Sequence, residues 1–553
     1  MLERRQCTTA EGGLWDAVKR GDRVDFDAGK KVLRADLVRQ VLLRAGGSPG
    51  CRALVIRNAE ITGTLDLEAG VLGLPVEFAR CRFPNPVNLQ QTRASILSFV
   101  GCELTGIRAD QVRTEFGFTV RDCRCTGEIS LTGGHVRGRL DFSGSRLHNP
   151  GGIVLRADGL AVDQDVHCSG RFRARGLVRL VGAHIGGRFQ CGDAEFANPG
   201  DVSLEACDLL VRENVYFDAG FRSVGQVRLF GARIEGELNC AGGRFRNRGG
   251  GALDFGGLVV DQDVIFTGGS HVDGGADLTG CRISGKLDLS GGTFHNQGGT
   301  ALDLARAKLA QNMICRSGFE LSGKLLLAGA EIDGNLWCEG GSFGNGADVV
   351  IDATGVTVRR DVALCRETTG EGFRATGKVV FSDATIGGCL RCTGGTFTNP
   401  GGVVLTAKAL AVTRDVLFCG DFVADGEVDL TDATVGGKLS GTGGRFEKRG
   451  LALIGDRITV AQSAEFGKGF HADGTVSMRG AKITGDLDFT DSELAAGSNG
   501  PALALSGVTV TRTLTLSFKE RPTGEIDLSG AEAGQLDDHK AKWPSRVLLH
   551  DFV

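Results

Sequence analysis

The chain repeats itself, and that constrains its fold more than anything else in it. The phrase G-x-V-x-L-x-G-A-x-I-x-G-x-L-x-C-x-G-G-x-F-x-N-x-G-G recurs with its first glycine at Gly127, Gly176, Gly225, Gly274, Gly323, Gly377, Gly426, Gly474 and Gly524. The steps between them are 49, 49, 49, 49, 54, 49, 48 and 50 residues. A fixed period of this size implies a stack of like units, because each unit can bury its apolar face only against its neighbours. Each unit also echoes itself half-way along. VRLVGAHIGGRFQCGDAEF (178–196) is answered by VSLEACDLLVRENVYFDAGF (202–221), with Val211 standing for Ile185, Val215 for Phe189 and Phe217 for Cys191. The physical period is therefore about 24–25 residues.

Helical repeats would carry an apolar stripe every 3.6 residues, whereas here the alternation is two: Ile185, Phe189 and Cys191 are apolar with Arg188 and Gln190 between them. Short alternating strands joined by Gly and Asn-Pro-Gly-Gly corners predict an all-β chain, a right-handed parallel β-helix or β-solenoid. Coils ~4.8 Å apart stack equivalent side chains into ladders, and the hand follows from the general crossover rule. One ladder is aromatic: Phe172, Phe196, Phe221, Phe245, Phe294, Phe319, Phe343, Phe373, Phe397, Phe422, Phe446, Phe470 and Phe518, with Leu494 and Val272 filling missing rungs. A second inward column mixes Cys with Phe and Leu, including Cys168, Cys191, Phe217, Cys240, Phe266, Cys315, Cys338, Cys392, Phe418 and Phe466. There Cys acts as a small hydrophobe. Cys168 with Cys191, and Cys315 with Cys338, fall on neighbouring coils within disulfide reach, but a reducing compartment predicts inert thiols.

The ladders account for an unusual composition. The 87 Gly and 30 Phe among 553 residues are corners and rungs, and the 17 Cys are too dispersed for a disulfide framework. A formal charge of −4 gives neither the basic field of a general nucleic-acid binder nor the acidity of a DNA mimic, so no nucleic-acid partner is expected. No apolar run in this chain is long enough to span a membrane, and MLERRQCTTAEGG lacks a secretory core. Cytoplasmic residence is expected.

Open solenoid ends need caps. Leu14, Trp15 and Val18, then Leu33, Leu37 and Val41, carry helical spacing within 11–46 and predict a helical N-terminal cap over 1–50. The solenoid then runs over 51–536 as one continuous core. Roughly 480 residues give about twenty coils and a rod on the order of 95 Å. Residues 537–553, with Trp543-Pro544, close it.

The opening LWDAVKRGDRVDF, the first coil RNAEITGTLDL, the repeated GAxIxGxLxCxGGxF and the closing QLDDHKAKWPSRVLLHDF together resemble a family of actinobacterial, pentapeptide-repeat-like β-solenoid proteins of unknown function. Members are often labelled "membrane-associated oxidoreductase". The scarcity of Lys between Lys31 and Lys286 suits a GC-rich genome of that kind. The resemblance covers essentially the whole chain but transfers no catalytic residue. Many members continue past the Trp-Pro segment into a helical region and membrane spans. It thus implies a chain that is the sensory or docking part of a longer protein, peripheral to the membrane through a region beyond Val553.

The residues offer little for the oxidoreductase label. No Gly-rich phrase opens a helix, as a dinucleotide site requires. The glycines read as left-handed corner residues. In Cys389-Leu390-Arg391-Cys392, alternation sends the two thiols to opposite faces. Cys123 and Cys125 share one face as packing. No catalytic, cofactor or metal site is expected. A corner row of Asp165, Asn214, Asp263, Asn312, Asp361 and Asp415 could place carboxylates in a groove, as in carbohydrate-active β-helix enzymes. Interleaved Arg139, Arg188, Glu237, Lys286 and Lys438 instead predict weak surface ion pairs.

Two outward columns carry apolar residues. One is expected to expose Leu326, Val350, Val380 and Val404 in succession; the other holds Ile265, Ile314, Trp337 and Leu417 between polar rungs. Contiguous exposed apolar side chains mark contact surfaces. The expectation is a non-catalytic scaffold that self-associates or binds a protein partner through residues ~314–417. A five-residue excess around Glu367–Glu371 would bulge from the same stretch.

Overall fold

The computed structural model describes residues 8–20, 24–26, 31–45, 51–367, 370–496, 500–539 and 541–553, the side chains of 17–20 and 345–348 excepted. The protein is all-β, a parallel β-solenoid of about 21 turns, with two helices among the described residues, both at the N-terminal end. Successive coils pair in the register that the half-repeat predicts: Ile185 lies opposite Val211 and Phe189 opposite Val215. The chain divides into two compact units, Met1–Val264 with His271–Gly274, and Ile265–Ser270 with Gly275–Val553.

Unit 1 begins with helix α1 (Thr9–Arg20) and helix α2 (Ala35–Ala45). The Thr8 hydroxyl accepts from the Glu11 amide at 3.3 Å, and Glu11 Oε2 accepts from the Thr8 amide at 2.8 Å. This reciprocal box satisfies two donors that a helix start leaves open. Glu11 is buried and also receives Arg34 Nε at 2.9 Å. The guanidinium hydrogen bonds hold its carboxyl well below the usual range, at about 2, although burial acts the other way. In α2, Leu37, Val38, Val41 and Leu42 form the buried stripe. The cap is not helix alone. Val24–Asp25 and Lys31–Arg34 already pair in parallel with Leu54–Arg57 and Ala59–Thr62, so the sheets start inside the segment expected to be helical.

Long and short coils alternate in both units. The strand Glu195–Glu205 has 11 residues and its neighbour Arg222–Arg228 has 7. Pairing holds through Ala197 and Val224, resumes at Val202 and Gln226, and shifts again before Leu204 and Val227, so the Asn-Pro-Gly portion loops out of register. Asn198 closes that loop by donating its side-chain amide to the Val202 carbonyl at 2.8 Å. The same bond recurs at Asn149, Asn247, Asn296 and Asn399. Gly225 sits opposite the loop with φ +114°, and a Cβ there would approach the Asn198 and Asp201 carbonyl oxygens to 2.5 and 2.7 Å. Only glycine fits.

The phenylalanine ladder is present, but its rungs come from two strand positions. Phe196 lies opposite Ser223, not Phe221, yet the Phe196 and Phe221 rings are 5.4 Å apart. The small residues Ala174, Ser223, Ala375, Ala424 and Ala472 occupy the register position on alternate coils, and the Phe two residues earlier fills the space they leave. In unit 2 the rings step from Phe319 through Phe343, Phe373, Phe397, Phe422 and Phe446 to Phe470 at 5.1–5.6 Å. Val272 and Leu494 are buried, as expected of missing rungs. Unit 2 ends with Val547–Leu548 pairing in parallel with Ile526–Asp527, so the closing segment contributes a last strand.

Candidate functional site

The outward column of unit 2 differs from the sequence expectation. Leu326 lies opposite Asp303 on one side and Asp352 on the other; Val380 lies between Asp352 and Thr406. Val350 and Val404 are fully buried, two residues short of the outward rung. The pairing register shifts between Val349 and Ile351 and between Val403 and Leu405, which leaves Val350 and Val404 as unpaired, buried residues, and that is why the apolar row read from the sequence does not exist. Leu326 and Val380 are half-buried, separated by Asp352. Burial pushes the Asp352 carboxyl up, but Lys324 at 2.9 Å and the Thr354 hydroxyl outweigh it and hold it below its ordinary value.

The other column is better preserved. Ile314 and Trp337 occupy adjacent rungs, both half-buried, with Asp288 before them and Ala363, Arg391 and Leu417 after. The strand holding Ile265 pairs with the one holding Asp288. The Arg316 guanidinium lies 4.1 Å over the Trp337 ring and is ion-paired with Glu339. A compact apolar and cationic patch therefore survives at Ile314, Trp337 and Arg316, with Ile265 and Leu417 isolated by polar rungs. Of the predicted bulge, Thr368 and Thr369 lie outside the described residues. Glu367 before them accepts from the Ser317 hydroxyl at 3.2 Å.

The corner row has a structural task. Asp165 Oδ1 accepts the backbone N–H of Arg188 at 2.8 Å, Asn214 that of Glu237 at 2.9 Å, Asn312 that of Asn335 at 2.8 Å, Asp361 that of Cys389 at 2.9 Å and Asp415 that of Lys438 at 2.9 Å. Each side chain clamps the next coil at the point where its chain turns. Asp and Asn interchange because both offer an acceptor oxygen. A Cβ at Gly388 would overlap the Asp361 carboxylate, so this corner glycine makes room for the clamp. Asp165 is pushed up by burial, yet the amide and guanidinium of Arg188 and the His167 ring more than offset this, and it stays ionised.

The thiols are packed away. Among the described residues every cysteine is unbridged. Burial raises Cys125 to about 11 and Cys281 to about 12, and lifts Cys240 and Cys392 well above the usual range. Leu390 and Cys392 are buried while Arg391 is exposed and Cys389 half-buried, so the paired cysteines face opposite ways. An unforeseen thiol row in unit 1 uses its sulfurs as weak donors: Cys81 to the Ile56 carbonyl, Cys102 to Phe78 and Cys123 to Phe99, at 3.2–3.3 Å. Among the described residues, no three His, Cys, Asp or Glu side chains are grouped to hold a metal ion, and no helix is long and apolar enough to cross a membrane.

No protein family, curated protein or solved structure matches this chain. Its own geometry has to carry the functional reading. One grouping that the sequence reading passed over is a run of outward arginines in unit 1, Arg124, Arg146 and Arg173, on three successive rungs. Their spacings of 22 and 27 residues disguise the row, because a looped Asn-Pro-Gly-Gly segment lies between the last two.

Proposed function

We propose that the protein is a non-catalytic interaction scaffold, a parallel β-solenoid that self-associates or holds a protein partner through unit 2. The observation carrying this reading is the adjacent pair of half-buried apolar rungs, Ile314 and Trp337, with the Arg316 guanidinium over the indole. Trp and Arg are the side chains that most often anchor protein contacts. The corner carboxylates support a structural over a hydrolytic role, since Asp165, Asp361 and Asp415 are engaged by backbone amides and, at the first two, by Arg188 and Arg391. Leu326 and Val380 belong to a separate column divided by Asp352 and are secondary contacts at most.

Sedimentation velocity and affinity capture test this. Ile314→Asp with Trp337→Glu should abolish association while the melting temperature stays within a few degrees of wild type, because neither side chain is in the core. Leu326→Asp with Val380→Asp should have the smaller effect. A wild-type protein that remains monomeric at tens of micromolar and captures no partner overturns the proposal, as does association unaffected by the first pair.

A further inference from the structure

The outer rungs of unit 1 mostly follow a simple electrostatic rule: a cation stands next to an anion. Arg82 contacts Glu60 at 3.2 Å and Glu103 at 3.6 Å; Arg179 contacts Asp158 at 2.9 Å and Glu205 at 3.5 Å; Arg188 contacts Asp165 at 3.0 Å and Glu213 at 3.7 Å. Like charges directly opposite one another on paired strands are destabilising, and alternation avoids that cost.

One place breaks the rule. Arg124, Arg146 and Arg173 lie directly opposite one another on three successive strands, and on the neighbouring outward position His148 lies opposite Arg175. All five side chains are exposed. Arg124 lies opposite Glu103 and Arg173 reaches Glu195 at 3.5 Å, so the run is flanked by carboxylates, while the middle rung, Arg146, stands between two arginines. The five enclose a groove of about 360 Å3 whose other lining residues are Thr126 and Leu147. Past Glu195 the same column continues through Arg222, which lies opposite it, and Arg244. Two unit charges held at the ~4.8 Å spacing of paired strands repel by about 1 kcal/mol even at the dielectric of water. An anion placed among the guanidinium groups removes that repulsion and gains charge-assisted hydrogen bonds.

We propose that this groove binds a ligand carrying clustered phosphate groups. Each guanidinium presents a rigid fork of donors matched to phosphate oxygens, and three forks in a row suit several phosphates held close together. Besides the four guanidinium groups the lining offers one hydroxyl, one aliphatic side chain and the His148 ring, with no Phe, Tyr or Trp face for a nucleobase. A polyphosphate chain or a phosphorylated polyol satisfies this chemistry, and the phosphates can be free or borne on a lipid headgroup. Arg222 and Arg244 extend the column for a longer chain. The site is independent of the association surface in unit 2.

Titration calorimetry with inorganic tripolyphosphate at low salt is the direct test, with flotation on phosphatidylcholine vesicles carrying a few per cent of phosphatidylinositol bisphosphate as the second arm. Wild type should bind at least one, with affinity falling steeply as salt rises. Arg146→Ala with Arg175→Ala should weaken binding at least tenfold, equivalent to about 1.4 kcal/mol, without lowering the melting temperature. Arg374→Ala with Arg445→Ala, in the corresponding column of unit 2, should leave binding unchanged. Binding of vesicles but not of tripolyphosphate assigns the phosphates to a lipid; the converse assigns them to a soluble ligand. The proposal is overturned if wild type binds neither probe. It is equally overturned if the unit 1 variant binds as wild type, or if a DNA oligonucleotide of matched charge binds as well as tripolyphosphate does.

Discussion

The two units present the same strand position to solvent and fill it differently. In unit 1 that column reads Glu60, Arg82, Glu103, Arg124, Arg146, Arg173, Glu195, Arg222, Arg244, with three carboxylates among six guanidinium groups and three of the arginines in an unbroken run. In unit 2 the corresponding column reads Thr293, Glu320, Ser342, Arg374, Thr396, Val423, Arg445, His471, Glu493. There Arg374 pairs with Glu371 at 2.8 Å and Arg445 with Glu447 at 2.7 Å. The interiors meanwhile carry the same ladder of rings, with Phe196 to Phe221 at 5.4 Å in unit 1 and Phe397 to Phe422 at 5.6 Å in unit 2. An outward rung can change without disturbing an inward one, because alternate side chains point to opposite faces. Fold and surface chemistry are therefore separable in this chain.

If the interiors are equivalent, Phe245→Ala in unit 1 and Phe397→Ala in unit 2 should each cost about 3–5 kcal/mol in urea unfolding. A difference between them of more than about 1 kcal/mol would break the equivalence. A smaller effect separates the units by pH. The Glu11 carboxyl in unit 1 has a folded value near 2 against 4.5 for the free group, so its contribution is complete above about 4.5 and is lost as the pH falls toward 2. With Arg34 part-exposed the loss should be about 2 kcal/mol. Fluorescence of Trp15, the one Trp of unit 1, in a Trp337→Phe, Trp543→Phe background should report the cap loosening over that window, and Glu11→Gln should remove the pH dependence.

Corner clamps should behave alike in both units. Asp165→Ala and Asp361→Ala each leave a backbone N–H without its acceptor, for about 1–2 kcal/mol, whereas Asp165→Asn should be nearly neutral, as Asn already serves at 214 and 312. Thermal melts of the three single variants decide this. The smallest effect should differ in sign between units. Arg146→Ala relieves repulsion and should stabilise the ligand-free protein by a few tenths of a kcal/mol at low salt, while Arg374→Ala removes an ion pair and should be neutral or slightly destabilising. Both changes should vanish at 0.5 M salt, where charges this exposed are screened.

Strand alternation made the coil period, both inward columns and the corner row legible from the sequence, since inward rungs must be apolar in every coil. The surface was less legible. Val350 and Val404 read as outward because each stands two residues before an outward rung, Asp352 or Thr406, but the register shifts at each valine and leaves it buried, and strict alternation does not reveal such a shift. The ring ladder was found by residue type, but its true construction, a Phe filling the space beside Ala174 or Ser223, needs the strand register. The corner glycines were attributed to left-handed backbone. At Gly388 the cause is instead the Asp361 carboxylate passing over it, a neighbour 27 residues away in sequence. The arginine run escaped notice because net charge over the whole chain averages a basic strip in one unit with the acidic surface elsewhere.

The corner clamp has a consequence for how such a chain can change length. Its acceptor oxygen reaches a backbone N–H on the next coil, and every non-proline residue supplies one. The bond asks nothing of the incoming side chain except that glycine stand where the clamp crosses. A pair of coils can thus be duplicated or excised by recombination and the newly juxtaposed corners will still join, so copy number is free to drift while the junction chemistry stays constant. Growth by whole repeats requires no compensating substitution at the seam.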